Sequence, residues 1–342
     1  MTTVNDPALL EVENLIVQYR RRRKSPLTAV NGVSLGVQKG ETVGVVGESG
    51  SGKSTLGNVV LGMTPVHSGT VNFEGEDITA ASPSRRRHLS EHLAAVFQDP
   101  YSSLNPSRTI GQTLEEPLLL HRKLNRTETV KHIGDALGRV GLAESVAPRY
   151  PNAFSGGQRQ RIAIARALML SPKLVVCDEP VSALDLSVQA QVLNLFRELQ
   201  REMSLSYLFI SHDLEVVRHV CHRVAVMYRG HIVEDGPADW VCGRPSHPYT
   251  QVLLAAAPVP DPFEQSERRL ARQALHKVAP AADASTGSAT DPGPPGTGCP
   301  FVPRCPHAMD ICRTVMPALE PSVGSSGVVK VACHWVQTTS SQ

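Results

Sequence analysis

The sequence predicts an α/β fold with a parallel sheet, because three of its short apolar runs are continuous rather than alternating. They are TVGVV at 42–46, KLVVC at 173–177 and YLFIS at 207–211. Strands that are covered on both faces by other elements have this pattern. Residues of functional type follow each run, so we expect the candidate site at the carboxyl ends of these strands.

Three further segments predict antiparallel structure beside this core. Residues 10–19 (LEVENLIVQY) alternate as a half-exposed strand does, and residues 70–78 repeat the pattern around a turn at Glu74 and Gly75. We expect these two segments to form a small antiparallel layer. Residues 223–236 (RVAVMYRGHIVEDG) predict a hairpin that closes the core.

Two regions have the spacing of amphipathic helices. Apolar residues recur at helical intervals after Thr127, which is expected to be the cap, so about residues 100–155 are predicted to form a mostly helical insert. Residues 187–203 predict a second helix. The apolar positions are Val130, Ile133, Leu137 and Val140 in the first region, and Val188, Val192, Leu195, Phe196 and Leu199 in the second.

Length and composition indicate a globular chain with an appendage. Of its 342 residues 41% are hydrophobic, and 34 basic against 32 acidic residues leave a net charge of +2. This balance predicts no nucleic-acid partner. No apolar run approaches the roughly 18–20 residues of a membrane span, and the N-terminus lacks the features of a signal peptide. We therefore expect a cytoplasmic protein whose seven cysteines are thiols or metal ligands.

The composition divides the chain into three parts. Residues 10–260 contain the periodic segments and are predicted to form the main domain, with the helical insert as a subdomain. Residues 261–298 are rich in Pro, Ala, Ser, Thr and Gly without periodicity, which predicts a flexible linker. Residues 299–342 form a small C-terminal extension that contains four of the cysteines.

Residues 47–54 fit the pattern G-x-x-x-x-G-K-[ST], directly between the strand at 42–46 and a predicted helix. Glycines let backbone N–H groups wrap phosphates, the lysine neutralises the β- and γ-phosphates, and the final hydroxyl binds Mg²⁺. A glycine-rich turn with an exposed lysine is the alternative, and the flanking strand and helix argue against it. The predicted phosphate-binding residues are Gly47, Ser49, Gly50, Ser51, Gly52, Lys53, Ser54 and Thr55.

The other two buried strands end in side chains suited to phosphate hydrolysis. Asp178 is a candidate magnesium ligand, and Glu179 is a candidate general base for the attacking water. A pair of capping or solvated acids is the alternative. His212 ends the next strand, where it could contact a γ-phosphate, and Gln98 is a candidate of the same kind. Each of these two, taken alone, is as well explained by a structural role.

A second anion-binding loop opens a predicted helix at residues 154–168 (FSGGQRQRIAIARAL). Helix N-termini present unpaired N–H groups and the positive end of a dipole. Because residues 47–54 already provide a phosphate cradle, the residues by themselves leave open which phosphate this second loop would bind.

The order of these motifs resembles that of the ATP-binding subunits of ABC transporters, over about residues 10–260. It comprises the P-loop, a glutamine loop, SGGQ, a strand that ends in Asp-Glu, SALD at 182–185 and a strand-end histidine. The resemblance implies a P-loop ATPase core with an antiparallel β layer and a helical subdomain. It also implies that two subunits pack head to tail, with each ATP between one subunit's P-loop and the other's SGGQ loop.

The resemblance further implies roles for individual residues. The SGGQ residues are expected to contact the γ-phosphate bound by the partner. Tyr19 resembles the aromatic residue that stacks on adenine, with an ordinary strand tyrosine as the alternative. Gln98 resembles the glutamine that senses Mg²⁺ and the membrane subunits, and Asp185 the aspartate that communicates across the dimer. Phe154 replaces the commoner leucine before the loop. The SGGQ residues are Ser155, Gly156, Gly157 and Gln158.

Residues 97–106 (FQDPYSSLNP), 149–168 and 246–258 (SHPYTQVLLAAAP) resemble the importers of dipeptides, oligopeptides and nickel. Within that group the intact SGGQRQR resembles the second of two different ATPases. The implied partners are a second ABC ATPase subunit, two membrane permease subunits and an extracytoplasmic solute-binding protein. The chain is then expected on the inner face of the cell membrane, where ATP hydrolysis powers uptake of peptides or a related small solute.

Two other functions are compatible with parts of the sequence. One is a soluble ABC-type ATPase that acts on nucleic acid or ribosomes, although the long coiled-coil insertions and second cassette of such proteins are missing from the sequence. The other is a redox-regulated switch that uses the cysteine tail. Basic residues at 20–24 (RRRRK) would suit anionic lipid or a phosphate, but we favour a solvated loop between strands.

The spacing of the cysteines in the extension does not identify a metal. Structural zinc sites usually pair cysteines as C-x₂₋₄-C, and the extension contains no such pair. The tail resembles the C-terminal cysteine motif of peptide-importer ATPases, which implies a [4Fe-4S] cluster. Zinc is the alternative, then unligated thiols, with His307 and His334 as substitute ligands. The predicted ligands are Cys299, Cys305, Cys312 and Cys333, whereas Cys177, Cys221 and Cys242 are predicted to be buried thiols.

Overall fold

The computed structural model of the protein describes residues 8–21, 24–99, 103–256, 298–322 and 329–339. The predicted linker at 261–298 therefore lies outside the described residues except for Gly298. The strands are β1 (Leu10–Arg21), β2 (Lys24–Val37), β3 (Thr42–Val46), β4 (Ser68–Phe73), β5 (Glu76–Asp77), β6 (Leu93–Val96), β7 (Leu174–Asp178), β8 (Ser206–Ser211), β9 (Arg223–Tyr228), β10 (His231–Pro237), β11 (Glu320–Pro321) and β12 (Lys330–Val331). The α-helices are α1 (Lys53–Val60), α2 (Pro83–Leu89), α3 (Ile110–His121), α4 (Arg126–Arg139), α5 (Gly156–Leu168), α6 (Leu186–Met203), α7 (Leu214–Val220), α8 (Ala238–Gly243), α9 (Pro248–Ala256), α10 (Asp310–Thr314) and α11 (His334–Thr339).

The main sheet has the strand order β11-β12-β10-β9-β3-β8-β7-β6, and the strands from β9 to β6 are parallel. The three predicted buried strands are confirmed as β3, β7 and β8, with boundaries that differ by at most one residue. Every residue of β3 and β8 is buried. The continuous apolar runs arise because both faces of this sheet are covered.

Alternate residues of β8 enter two different hydrophobic cores. Tyr207 and Phe209 pack edge-on against Phe196 of α6, with ring centroids 5.5 and 5.7 Å apart. Leu208 and Ile210 point to the opposite face, where they join the core beneath β1, β2 and α1. This period of two is what a strand covered on both sides requires.

The antiparallel layer predicted from residues 10–19 and 70–78 is confirmed. Its strand order is β2-β1-β4-β5, and β4 and β5 are joined by the predicted turn, where Glu74 and Gly75 both have positive φ. The predicted hairpin at 223–236 is confirmed as β9 and β10. The sheet continues beyond this hairpin, because β12 of the C-terminal extension pairs with Glu234 and Asp235 on the outer side of β10.

The helical insert contains α3 and α4, but the predicted cap of α4 is wrong. Asn125 accepts from the N–H of Glu128, whose carboxylate accepts from the N–H of Asn125, so the helix begins at Arg126 and Thr127 lies inside it. Val130 is also not part of the core, since it lies on the outer face and is half exposed. The buried positions of α4 are Thr129, Ile133, Ala136 and Leu137.

The predicted helix at 187–203 is confirmed as α6, which starts one residue earlier. Asp185 is its N-cap: the carboxylate accepts from the N–H of Val188 (3.0 Å) and from the Ser187 hydroxyl (2.7 Å). These hydrogen bonds hold the pKa of Asp185 below its ordinary value, with the Val188 bond as the largest cause. Val188 itself is only half-buried.

The C-terminal extension packs onto the main domain around one aromatic side chain. Phe301 is fully buried and contacts Tyr228 and Tyr249, with ring centroids 5.3 and 5.5 Å apart. His247 lies on the same ring, 5.9 Å from its centroid. The extension thus adds to the main core through Phe301 and to the main sheet through β12.

We expect the attachment of this region to depend on pH through His247. Burial lowers the pKa of His247 to about 4, and its Nδ1 accepts from the Tyr249 N–H (3.0 Å). The unfolded chain, with a histidine pKa near ~6.5, takes up the proton first as the pH falls. We expect His247 to contribute stability fully above pH ~6.5 and to lose it towards pH ~4, up to about 3 kcal/mol.

Denaturant unfolding of the wild type and of His247→Asn at several pH values checks this expectation. The wild type should lose more unfolding free energy on acidification than the variant, which retains a hydrogen-bond acceptor but cannot be protonated in this range. His132→Asn, at an exposed position of α4, is the matched control. Parallel pH profiles for the wild type and His247→Asn would contradict the assignment.

Two surface features bear on the predicted location. The basic run at 20–24 lies where β1 passes into β2, and Arg20 is exposed there; residues 22–23 lie outside the described part. Across the ranges that the structure describes, no helix is both long and apolar enough to cross a membrane.

Candidate active site

A cavity of about 720 Å³ lies at the carboxyl ends of β3, β7 and β8, between the P-loop and the antiparallel sheet. It is lined by most of the predicted P-loop residues and by Tyr19, Gln98, Glu179 and His212. A second cavity, of about 800 Å³, lies between β1, β2 and the C-terminal extension and contains none of them. The first cavity is lined by Tyr19, Leu27, Ala29, Glu48, Ser49, Gly50, Gly52, Lys53, Ser54, Thr55, Gln98, Glu179, His212 and Leu253.

The P-loop turns directly from β3 into α1, as the motif predicts. Gly52 precedes the helix with φ of 106°, and a Cβ there would collide with the Ala29 carbonyl oxygen. A Cβ on Gly47 would collide with the Met227 carbonyl oxygen. Larger residues are therefore excluded, and the backbone can follow a curve that directs N–H groups into the cavity.

Lys53 is the buried cation of the cavity. Its ammonium donates to the carbonyl oxygens of Gly47 (2.7 Å) and Glu48 (3.0 Å), which holds the loop closed around it. Burial lowers the pKa of Lys53, and the nearby carboxylates of Glu179, Asp178 and Glu48 oppose that shift. The result is a cation at the point where the motif expects terminal phosphates.

Ser54, at the start of α1, and Asp178, at the end of β7, lie in contact beside the cavity. The Ser54 hydroxyl donates to Oδ1 of Asp178 (3.0 Å), so two oxygen ligands from different elements lie together. Burial raises the pKa of Asp178, and the Ser54 hydrogen bond opposes this shift. A hydroxyl and a carboxylate are ligands suited to Mg²⁺, which commonly takes the rest of its octahedral shell from water and phosphate.

Glu179 and His212 form a close pair beside this oxygen set. Oε2 of Glu179 lies 2.6 Å from Nδ1 of His212, so β7 and β8 place these two side chains in contact at their carboxyl ends. The Glu179 side chain is largely buried, whereas the His212 side chain is mostly exposed. Glu179 has φ of 51° and donates its N–H to the Ile210 carbonyl oxygen (2.9 Å). This hydrogen bond links the residue after β7 to β8 and so fixes the backbone position from which the Glu179 side chain extends.

Tyr19 and Gln98 lie at the rim of the cavity. The Tyr19 hydroxyl is 3.3 Å from the Thr55 hydroxyl, and the ring is partly exposed, as a face that receives a flat ligand must be. Gln98 is exposed where the chain leaves β6. Both therefore face the same space as Lys53 and Ser54.

The SGGQ residues open α5 as predicted, but they lie outside this cavity. Ser155 is the exposed N-cap of the helix: its hydroxyl accepts from the N–H of Gln158, and its own N–H donates to the Gln158 side chain in a capping box. Gly157 is buried against Val188 of α6, and a Cβ at this position would collide with the Val188 side chain. Asp185, the cap of α6, also does not line the cavity. The structure therefore brings the P-loop, Asp178, Glu179, His212, Gln98 and Tyr19 together, and separates the SGGQ loop from them.

Four lining residues were not predicted from the sequence. Leu27 and Ala29 come from β2, and Leu253 comes from α9. Glu48 was within the P-loop motif, at a position that the pattern leaves unspecified. Apolar residues of this kind carry no local signal, because they line the cavity only once distant segments have packed.

The cysteines divide as predicted into a core set and an extension set. Cys177, Cys221 and Cys242 are buried free thiols. In the extension, burial raises the pKa of Cys299 and Cys305 to about 11, with further contributions from the neighbouring thiols. Cys312 and Cys333 are among the thiols that contribute to this shift in pKa. Within the described ranges, no three His, Cys, Asp or Glu side chains are arranged to hold a metal ion. The predicted metal thus gains no support from the structure.

Parallel strands, a P-loop at the end of the inner strand β3, and an Asp-Glu pair at the end of β7, two strands away, together define a P-loop ATPase. Comparisons with known proteins narrow this class. Residues 30–182 match the family described as ABC transporter, and residues 233–312 match the family described as oligopeptide/dipeptide transporter, C-terminal region.

Relatives match nearly the whole chain. A probable peptide ABC transporter ATP-binding protein of Sinorhizobium fredii is 46% identical over 333 residues, which cover 96% of this chain and 90% of the relative. The oligopeptide transport ATP-binding protein OppF of Escherichia coli is 47% identical, covering 92% and 93%. Among solved structures, the dimeric cassette MJ0796 bound to ADP and Pi has a TM-score of 0.61 at 27% identity, covering 67% of this chain and 98% of that one.

The chain belongs to the family of ABC transporter ATP-binding subunits, and it is an ABC-type ATPase. The P-loop fold expected from the sequence is thereby confirmed, and the alternative of an ATPase acting on nucleic acid or ribosomes is not favoured.

Proposed function

We propose that this protein is the ATP-hydrolysing subunit of a membrane importer for peptides or a related small solute. The observation that carries the proposal is identity of 42–47% over more than nine-tenths of the chain with peptide transport ATP-binding proteins from several bacteria. The match of residues 233–312 to the oligopeptide/dipeptide C-terminal family supports it independently of the ATPase core.

In the mechanism that we propose, the adenine ring packs on Tyr19 and the phosphates enter the P-loop. Its backbone N–H groups and Lys53 bind the phosphates, while Ser54 and Asp178 would hold Mg²⁺ together with Gln98. Bound Mg²⁺ would supply charge neutralisation on the phosphate oxygens. The remaining phosphate-binding residues proposed are Gly47, Ser49, Gly50, Ser51, Gly52 and Thr55.

We propose that Glu179 is the general base. Its carboxylate accepts a proton from the water that attacks the γ-phosphate, and contact with His212 at 2.6 Å orients it towards that water. His212 is mostly exposed, so its other ring nitrogen remains available to the γ-phosphate oxygens. The pair would then act on nucleophile and phosphate at once.

The SGGQ loop serves a second subunit in this proposal. Ser155, Gly156, Gly157 and Gln158 lie at the N-terminus of a 13-residue helix, which favours an anion, yet they do not line the cavity of their own chain. A head-to-tail partner would bring its γ-phosphate to this loop, with Asp185 near the contact. We propose that the partner is a second, different ABC ATPase.

Ser155→Arg tests this composite site. We expect the isolated chain to bind ATP with unchanged affinity, because Ser155 lies outside its cavity, whereas the assembled transporter loses ATP-dependent closure and cooperative hydrolysis. Titration of each with a fluorescent ATP analogue, followed by turnover of the assembled complex, gives the two readouts.

Ser155→Ala is the matched control, since it removes the helix cap, at a cost of about 1 kcal/mol, without filling the phosphate site. It should retain most of the closure. Equal loss of ATP affinity in the isolated Ser155→Arg chain would show that the loop belongs to the chain's own site, contrary to the proposal.

The proposed partners place the chain on the inner face of the cell membrane. Two permease subunits would receive the motion of the helical insert, and an extracytoplasmic binding protein would deliver the solute. Purification from membranes in mild detergent should retain multi-span subunits, and vesicles containing the complex should accumulate a labelled short peptide only with ATP. Copurification with nucleic acid or ribosomes instead would overturn the proposal.

For the extension, we retain the [4Fe-4S] cluster on Cys299, Cys305, Cys312 and Cys333 as a proposal that rests on resemblance, with zinc as the alternative. Anaerobically purified protein should be brown, with broad absorption near ~400 nm. Stoichiometric zinc in a colourless sample would overturn the cluster, and absence of both metals would leave unligated thiols.

A further inference from the structure

The C-terminal extension reaches the P-loop through one arginine. Both terminal nitrogens of Arg304 donate to the carboxylate of Glu48, at 3.0 Å each, in a bidentate ion pair. Glu48 is the second residue of the P-loop and lines the nucleotide cavity. A residue that lies 256 positions later in the chain therefore places a positive charge against the phosphate-binding loop.

The position of Arg304 is fixed by the buried residue that precedes its turn. It ends a 3₁₀ turn (Val302–Arg304) whose preceding residue, Phe301, is fully buried among Tyr228 and Tyr249. The guanidinium lies 5.5 Å from the centre of the Phe301 ring. Tyr249 also accepts a hydrogen bond from the Glu48 N–H (2.8 Å). Groups from outside the P-loop thus hold both the backbone and the carboxylate of Glu48.

A carboxylate in a phosphate-binding loop is electrostatically unfavourable for the bound ligand. The triphosphate of ATP is strongly negative, and like charges within a few ångströms repel each other unless a cation lies between or beside them. Glu48 is the sole acidic residue in the described P-loop stretch 47–55. The guanidinium of Arg304 cancels this charge, and the bidentate geometry prevents the carboxylate from turning towards the phosphates.

We infer that the C-terminal extension completes the nucleotide site, with Arg304 acting as a positioning residue for ATP by neutralising and holding Glu48. The inference depends on the ATP site and not on which solute is transported. Because both side chains are partly exposed, solvent and salt screen the effect, and a change on the order of tenfold in ATP affinity is expected at low salt.

Three variants of the full chain separate this charge effect from simple loss of an anchor. Arg304→Gln leaves Glu48 charged beside the phosphates, so the Kd for MgATP should rise by about tenfold. Glu48→Gln leaves Arg304 positive, so ATP should bind more tightly than to the wild type. The double variant should return close to the wild-type affinity. In assembled transporter, Arg304→Gln should raise KM with little change in kcat.

Arg85→Gln is the matched control, because Arg85 and Glu76 form an ion pair of similar exposure that does not line the cavity. Thermal unfolding of each variant identifies any that has lost its fold. Weaker binding by Glu48→Gln as well as Arg304→Gln, with no recovery in the double variant, would overturn the charge assignment. Unchanged ATP affinity in folded Arg304→Gln would overturn the inference altogether.

Discussion

Replacing Glu179 with glutamine will reduce ATP turnover by about 10²–10⁴-fold while leaving ATP binding intact. Glutamine has the same shape but cannot accept the proton of the attacking water. The phosphate-binding residues Lys53 and Ser54 come from the P-loop and α1 and are untouched by the change. ATP-bound dimers should therefore accumulate, because closure still occurs and hydrolysis no longer follows it.

Phosphate release from the assembled transporter measures the turnover, and a fluorescent ATP analogue measures the binding. Glu198→Gln, on the exposed face of α6, makes the same chemical change away from the cavity and should behave as the wild type. Hydrolysis by Glu179→Gln at a rate near that of the wild type would remove Glu179 from the role of base, and would direct attention to His212.

Replacing Lys53 with alanine will instead weaken ATP binding itself. The variant loses the buried ammonium at the phosphate position, and charged hydrogen bonds of this kind contribute enough for a Kd increase of about 10- to 100-fold. It also loses the bonds to the carbonyl oxygens of Gly47 and Glu48, so the loop is no longer held in its closed curve. Turnover at subsaturating ATP then falls because a smaller fraction of the protein holds ATP.

Titration with the fluorescent analogue separates this variant from Glu179→Gln. Lys53→Ala should saturate at a higher analogue concentration than the wild type, whereas Glu179→Gln should saturate at the wild-type concentration. Lys39→Ala, at an exposed position before β3, is the control for loss of a lysine. Wild-type affinity in Lys53→Ala would mean that the backbone N–H groups bind the phosphates without the lysine, contrary to the mechanism proposed here.

The parts of the fold that could be predicted are those with a local cause. A buried parallel strand needs a continuous apolar run, so β3, β7 and β8 were predicted to within one residue, and the P-loop motif requires glycine at fixed positions. Capping is less determined, because Asn125 and Thr127 are both good caps and the reciprocal bond with Glu128 decides between them.

The parts that could not be predicted depend on contacts between distant segments. Leu253 reaches the nucleotide cavity from α9, and Arg304 reaches Glu48 from the extension. Neither residue has a local sequence signal, because its role depends on the surface of a distant segment against which it packs. The separation of Ser155 from the cavity of its own chain likewise follows from the packing of α5 against α6.

The pairing of β12 with β10 also covers a sheet edge that would otherwise be open to strand pairing with other copies of the protein. Without it, the backbone groups of Val233, Glu234 and Asp235 would form an open sheet edge, and such edges pair readily with strands of other molecules. Proteolytic loss of the extension would expose this edge together with the aromatic surface that Phe301 covers. Cleaved molecules would then be prone to aggregate through intermolecular strand pairing, so the intact C-terminus safeguards solubility as well as completing the fold.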